Sequence, residues 1–459
     1  MAEYPETGLL ADCDVAIVGA GVAGLTALRV LVKAGVDAQI IEARDRIGGR
    51  VFTVHDPRVP HPIELGAEFL HGSADEAVQI VNEAKLVAYE IAGQRWRTRG
   101  KKLIRLDDYW KRLHQVMRHL PTVGRDRSFA DFLGHSPGGP RAGDARTLAR
   151  AFVEGFHAAE LELISAKALS NGGSPSEEEP EEQRIMRISD GYDAVPLWLS
   201  RDVEQRIFTG NVVETIAWEP NSVELTVRRS ESTGTAKVRA RAVIVTAPLG
   251  VLLASPEEVG AIRFTPPLGV LDEARSHLAM GFVTRIVVLF DERWWTGKLG
   301  SAPKDASLDS LSFLHGESRD FPIWWTLHPA HLPMMVGWQG GPRAMSLAGL
   351  PHDEIEALAI TSLAKNLGVS RQRVASHMKA SWMHDWQEDP YSRGAYSYPR
   401  VGGGDAAKRL AASIRGTVWL AGEAADAEGR NGTVHGAIGS GRRAARSVLR
   451  IFTPSSAQR

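Results

Sequence analysis

The sequence predicts an α/β protein in which a parallel sheet at the head of the chain is interrupted and then completed by segments far downstream. Three observations carry this expectation. Residues 14–50 read as strand, tight turn, helix and strand. Short, wholly apolar runs of the kind that fill buried parallel strands return at Ala242-Val-Ile-Val245 and in Val418-Trp-Leu-Ala421. Between them lie a block of amphipathic helices, about 73 to 190, and a tryptophan-rich stretch that begins with a strand near Val283.

Val15 to Val18 is apolar at every position, as a strand covered on both faces must be. Gly19, Gly21 and Gly24 follow in G-x-G-x-x-G spacing. The first glycine permits the sharp turn, the second lets the backbone approach a pyrophosphate, and the third brings helix and strand together. The helix Val22 to Lys33 is mostly apolar and Gly35 caps it. Its N-terminus offers unpaired N–H groups and a positive dipole end to phosphates. The next strand, Ala38 to Ile41, ends at Glu42, whose carboxylate can accept both hydroxyls of an adenosine ribose and would repel a 2′-phosphate. A bare glycine pattern is common, but strand, helix, second strand and terminal acid all fall at the spacing of a Rossmann-like dinucleotide site. Arg44, Arg46, Gly48, Gly49 and Arg50 then add two glycines and three cations, enough for a second approach to the pyrophosphate.

Farther along, Ser73-Ala-Asp-Glu76 reads as a capping box ahead of an apolar stripe at Val78, Ile80, Val81 and Ala84. Amphipathic helices are expected near Asp107 to Leu120 and Ala145 to Leu163. Residues 171–184 are glycine, proline, serine and acid and cannot build a core; a solvated loop is the plain reading, a lid or an acidic lure for cations the sharper one. Strands are expected at Gly210 to Trp218, Val223 to Arg228 and Ala236 to Ala240, the last two forming a hairpin through Ser232-Thr-Gly234. The stretch from Val283 to Phe290 is another strand, and a helix from Asp353 to Leu367 stops at Gly368. Most of the twelve tryptophans lie from here on, where core filling is their usual role and an aromatic channel the alternative.

Composition narrows the class of function. At 459 residues the chain is long enough for two or three domains. Lys+Arg is 54 against Asp+Glu 55, so no charge excess favours nucleic acid or an anionic membrane as partner. The one cysteine, Cys13, excludes an intrachain disulfide and makes a thiolate metal site improbable. The N-terminus lacks the basic and apolar regions of a signal peptide, and no run approaches ~20 apolar residues. A soluble, cytoplasmic protein is expected. The oligomeric state is not legible, with a homodimer as one alternative.

The fingerprint through Arg50 resembles that of the flavin amine oxidase superfamily: monoamine oxidases, polyamine oxidases and lysine-specific histone demethylases. Further segments strengthen the resemblance. Ile63-Glu-Leu-Gly-Ala-Glu-Phe-Leu-His-Gly72 is similar to the stretch that passes the flavin in polyamine oxidases, with Gly66 and Ala67 against the ring and His71 at the cavity mouth or, alternatively, a plain turn histidine. Gly191-Tyr-Asp-Ala and Ala242-Val-Ile-Val-Thr-Ala-Pro-Leu-Gly250 are family-like, and Val213 matches the position whose backbone holds the adenine. Trp386 to Tyr398 resembles the demethylase and polyamine oxidase branch, setting Tyr396 beside the flavin. Ala395 stands where monoamine oxidases carry the cysteine bonded to the flavin, so the FAD is expected to be non-covalent. Glu423 falls at the ribityl and pyrophosphate region, and Thr433-Val434-His-Gly-Ala437 opens a helix aimed at the flavin. Small residues at Gly436, Ala437, Gly439 and Gly441 let that helix press on the cofactor, unless they serve mere close packing.

The resemblance implies an FAD-binding Rossmann-like domain of the GR2 type with an interleaved α+β substrate domain. The first spans 1–72, 191–282 and 386–459, the second 73–190 and 283–385. It implies Glu42, Arg44, Gly49 and Arg50 as cofactor contacts and a small-molecule amine as substrate, its C–N bond oxidised by hydride transfer to flavin N5 with hydrolysis of the imine. Candidate catalytic residues are Arg285, Tyr396 and His71. Arg285 departs from the family, whose lysine at this place holds a water at N5. Alternation puts Arg285 on the face of Val283, Val287 and Leu289, where a charge is costly unless partnered. Either it pairs with a nearby acid or lies at an exposed strand end, or its guanidinium meets the cofactor without being able to relay a proton. Rival functions are a flavin dehydrogenase or desaturase using another acceptor, and a flavin-binding interaction protein without turnover.

Overall fold

The computed structural model describes residues 10–72, 74–171, 184–229, 234–304 and 306–452. Val15–Val18 lies at the middle of a five-stranded parallel sheet in the order Ile207–Phe208, Ala38–Ile41, Val15–Val18, Ala242–Val245, Val418–Leu420. The uniform apolarity of the three central strands follows from cover on both faces. Helices Val22–Lys33 and Val434–Phe452 pack on one side, with Leu25, Leu28, Ile438 and Val448 in the shared core. A four-stranded sheet, Thr235–Ala240, Ser222–Arg229, Asn211–Glu219 and Arg263–Thr265, covers the other.

Several expectations are corrected at the edges. Two of the small residues of Val434–Phe452 are close-packed on protein, since a Cβ on Gly441 would collide with the carbonyl of Ala23 and one on Gly436 with that of Arg430, whereas Ala437 lines a cavity. The helix expected from Ala145 runs Gly143–Phe156 and stops short of Leu163. There the chain reverses through Ala158, whose φ is +50°, so that Ala159, Leu161 and Ile164 fold back onto the helical cluster. The second helix, Asp75–Glu83, has Ala74 in left-handed conformation at its N-cap, and Glu76 pairs with Arg430. Ser73, the proposed cap, lies outside the described residues, as do 172–183 of the acidic stretch and 230–233 of the hairpin turn. Asp75–Glu83 sends Ala77, Ile80 and Val81 into the core beneath the parallel sheet.

A seven-stranded sheet forms the second body, in the order Met378–Trp382, Val283–Phe290, Met334–Gly340, Ile323–Thr326, Leu311–His315, Gln94–Arg99, Lys102–Arg105. One face packs on the helix His352–Leu367, taking Ile286, Val288 and Phe290 into that core, with Trp294, Trp295 and Trp324 beside them. The helix ends at Gly368 with φ +65°. The opposite face carries Arg285, Val287 and Leu289, as alternation requires. Among the described residues no helix is long and apolar enough to cross a membrane, and no group of His, Cys, Asp and Glu is placed to hold a metal.

Arg285 is buried and paired. Its Nη2 donates to Glu68 Oε2 at 2.5 Å and its Nη1 to the Gly66 carbonyl at 3.0 Å. Glu68 Oε1 accepts from Arg187 Nε at 2.5 Å, and the indole of Trp325 donates to the same carboxylate at 3.2 Å. The three charged side chains are only 2–4% exposed. Burial opposes ionisation of Glu68, but the two guanidiniums outweigh it and hold the carboxyl below its ordinary range. A lowered folded pKa contributes stability above the unfolded value that is lost as pH falls through the folded one. Glu68→Gln should therefore lower the unfolding free energy by about 3–5 kcal/mol, because two buried guanidiniums lose their counter-charge. Urea unfolding over the acid range should show a shallower pH slope in the variant. Equal stability and slope in both proteins would mean that the arginines are balanced by another group.

Candidate active site

A single cavity of about 760 Å³ runs from the glycine turn of the parallel sheet to the open face of the seven-stranded sheet. At its first end the turn is tightly built: a Cβ on Gly24 would collide with the Gly19 carbonyl, so the helix Val22–Lys33 can start against the turn only with glycine there. Gly21 is the reverse case, since a Cβ there would meet no protein atom within 4 Å and the residue lines the cavity. The backbone is thus bare where a pyrophosphate has to approach.

Glu42 stands at the end of Ala38–Ile41 with both oxygens oriented, Oε2 by the Ala20 amide at 2.6 Å and Oε1 by the Arg44 amide at 2.9 Å. Each oxygen keeps lone-pair capacity for a hydroxyl. The three cations of the following loop do not act together. Arg44 lines the cavity but gives its Nη2 to Asp389 at 2.7 and 2.8 Å. Arg46 turns away to the carbonyls of Ile47 and Gly49 and stacks 4.0 Å from the ring centre of Phe52, and burial, then Arg44, lower its pKa to about 10. Arg50 remains at the cavity, its Nη1 2.8 Å from the Ala395 carbonyl and 2.9 Å from Glu423 Oε1.

Glu423 fastens the site. Besides Arg50 it accepts from the Ser397 hydroxyl at 2.6 Å and from the Gly432 amide at 2.9 Å. Thr433 caps the helix Val434–Phe452 by accepting from the Gly436 amide at 3.0 Å. Thr433, Val434, Val213, Gly49, Gly66 and Ala67 all line the same cavity. At Gly66 the constraint is local, since a Cβ would collide with the Arg50 carbonyl.

Tyr396 and His71 also line it. The Tyr396 hydroxyl donates to the Phe156 carbonyl at 2.7 Å, so the residue offers a fixed ring and no free proton. His71 sits edge-on to Phe69 and Phe156, and burial pushes it down to about 4, which keeps it neutral in ordinary buffers. Arg285 lies in the wall, held as described. The far end is aromatic: Phe152, Phe156, Phe313, Trp325 and Trp338 face the space, with Arg95 among them. Sequence reasoning did not single out Glu68, Arg187 or Asp389. The available signal was the one Arg285 gave, a charge inside an apolar run, as for Arg187 in Ile185–Ile188.

Comparisons with known proteins agree with this geometry. The family model described as flavin containing amine oxidoreductase matches residues 91–449, and a NAD(P)-binding Rossmann-like domain matches residues 17–84. The chain is 26% identical to putrescine oxidase of Kocuria rosea over 97% of each chain. It is also 26% identical to probable polyamine oxidase 4 of Arabidopsis thaliana, over 96% of this chain and 87% of that one. The solved structure of wild-type putrescine oxidase bound to putrescine superimposes with a TM-score of 0.76 at 22% identity, covering 95% of this chain and 99% of that one. Cyclohexylamine oxidase from Brevibacterium oxydans also gives 0.76, at 19% identity and with 96% and 99% covered. With a cradle and chamber joined in one cavity and the family model spanning most of its length, this chain belongs to the flavin-containing amine oxidoreductases and is an FAD-dependent oxidoreductase of the amine oxidase type.

Proposed function

We propose that this protein oxidises the C–N bond of a small amine with FAD held non-covalently. The observation that carries the reading is the continuity of the cavity from the bare backbone at Gly21 to the aromatic chamber at Trp325 and Trp338. The residues present fit the cofactor. Glu42 would take the ribose hydroxyls, and Gly21, Gly49 and Arg50 the pyrophosphate. The Val213 backbone would take the adenine. Gly66, Ala67 and Tyr396 would border the flavin ring, and the N-terminus of Val434–Phe452 would supply a positive dipole end to it. Ala395 offers no tether. When bound, the flavin supplies a two-electron oxidation by accepting hydride from the carbon beside the amine nitrogen.

The chain's own part is to bind, orient and desolvate. The aromatic chamber favours the neutral form of an amine, since burial disfavours the ammonium. Each of the four acids lining the cavity is already engaged: Glu42 by amides, Glu68 by two arginines, Glu423 by Arg50, and Glu428 by Arg430 at 2.9 Å. Arg285, paired to Glu68 and bonded to the Gly66 carbonyl, holds the loop that carries Gly66 and Ala67 against the cavity. Neutral His71 closes the wall without competing for the amine's proton. The lone cysteine suits a reducing compartment, and the reading places the protein in the cytoplasm.

Anaerobic addition of a panel of primary and secondary amines should bleach the yellow holoprotein, and air should restore the colour; no bleaching by any of them would sink the proposal. Acid precipitation should release all of the flavin into the supernatant, whereas colour kept by the pellet would contradict non-covalent binding. Glu42→Ala should purify with less flavin, because hydrogen bonds to a charged acceptor are worth ~1.5–3 kcal/mol each. Full occupancy after dilution, read from the visible-to-ultraviolet absorbance ratio, would mean that the ribose is held by other groups.

A further inference from the structure

Arg95 is the unexplained charge in the cavity. It lies on Gln94–Arg99, where it stands opposite Phe313, which is opposite Trp325, which is opposite Val336, which is opposite Val287. Residues facing one another across a sheet share a face, so Arg95 projects on the side that Val287 and Arg285 share. Its guanidinium is boxed by rings, with Phe313, Tyr109 and Trp110 at 4.5, 4.8 and 5.3 Å from their centres. It lines the cavity and, among the described residues, makes no ion pair or hydrogen bond. Burial lowers its pKa, with no carboxylate near enough to oppose the effect.

The other functional arginines differ. Arg187 and Arg285 share Glu68, and Arg50 has Glu423. Arg97, two residues from Arg95 and also on the sheet, reaches Asp144 at 3.7 Å. Around Arg95 the polar groups are equally unpartnered among the described residues. Tyr109 is 6% exposed and its hydroxyl has no partner among them. The imidazole of His315, stacked 5.0 Å from Tyr109, has no partner at Nε2 and is kept neutral by burial. A guanidinium presents five donors and accepts nothing, so in an aromatic box it calls for an anion or for water.

We infer that the substrate carries an anionic head group, carboxylate or phosphate, which Arg95 receives at the end of the chamber remote from Gly66 and Tyr396. The inference rests on the amine-oxidation reading for the near end. Four strand spacings of ~4.8 Å separate the backbones of Arg285 and Arg95, which leaves a gap on the order of 10 Å once the side chains are allowed for. The amine and the anion therefore sit at opposite ends of an extended apolar linker. A diamine is selected against, because its second ammonium meets Arg95 and finds every lining carboxylate of the described residues already engaged.

Kinetics of the FAD-loaded enzyme with ω-aminooctanoate, octylamine and diaminooctane test this. The expected order in kcat/KM is ω-aminooctanoate, octylamine, diaminooctane, with the first ahead of the second by about tenfold or more and the difference lying in KM. Arg95→Gln should collapse that advantage, and Arg95→Lys should restore part of it. A preference for diaminooctane, or an advantage that Arg95→Gln leaves intact, overturns the inference. Calorimetric titration of the holoprotein with octanoate and octyl phosphate reads the site without turnover and sorts the two head groups. Arg95→Gln should weaken the better ligand about tenfold. Equal binding to both proteins, or to neither, overturns the anion site. Arg95-dependent binding with no amine bleaching the flavin would keep the anion site and sink amine oxidation; bleaching by octylamine without Arg95-dependent binding would do the reverse.

Discussion

One carboxylate between two guanidiniums holds the working parts in relation. Glu68 comes from the loop that follows Ile63–Glu64, Arg187 from the strand Ile185–Ile188, and Arg285 from Val283–Phe290 of the seven-stranded sheet. Buried ions of this kind seldom add net stability over apolar packing, but they penalise any arrangement that leaves one of them alone. The loop carrying Gly66 and Ala67 therefore has one low-energy position, fixed also by the Arg285 bond to the Gly66 carbonyl. The floor of the chamber and the flank of the cofactor cradle are set by the same contact.

The charge distribution around the cavity has the character of a binding surface whose acids have all been used internally. At the cradle end Arg50, which also holds Glu423, and the helix terminus at Val434 suit a dinucleotide phosphate. At the chamber end the hydrophobic walls and Arg95 face the space, and the lining carboxylates of the described residues are all engaged. Relatives named for putrescine and polyamine oxidation share the fold with this chain, but fold similarity does not carry the lining of a pocket with it.

Local signals made much of the fold legible. The bounds of Val15–Val18, Val22–Lys33, Ala38–Ile41 and Val283–Phe290 agree between sequence and structure, because each is written in consecutive residues as an apolar run, a glycine pattern or an alternation. The helix end at Phe156 was missed because the glycine beside it, Gly155, still lies inside the helix and the reversal at Ala158 is dictated by packing of later residues. Arg285 could be flagged as anomalous but its partner could not be found, because Glu68 lies 217 residues away. Arg95 gave no signal at all: among Gln94-Arg-Trp-Arg-Thr-Arg99 its charge reads as one solvated arginine in a series, and only the pairing with Phe313 reveals that it faces inward.

The strand order of the parallel sheet has a consequence for how the protein is made. Val15–Val18 leaves the ribosome more than two hundred residues ahead of its neighbour Ala242–Val245, and the edge strand Val418–Leu420 follows later again. The helix that seats against Ala23, Val434–Phe452, comes later still. Until then one face of the first strand and helix has nothing native to lie against. Contacts so remote in sequence close slowly, and exposed apolar strands are sticky while they wait. The nascent chain thus passes through a long interval in which its most apolar segments lack their native cover.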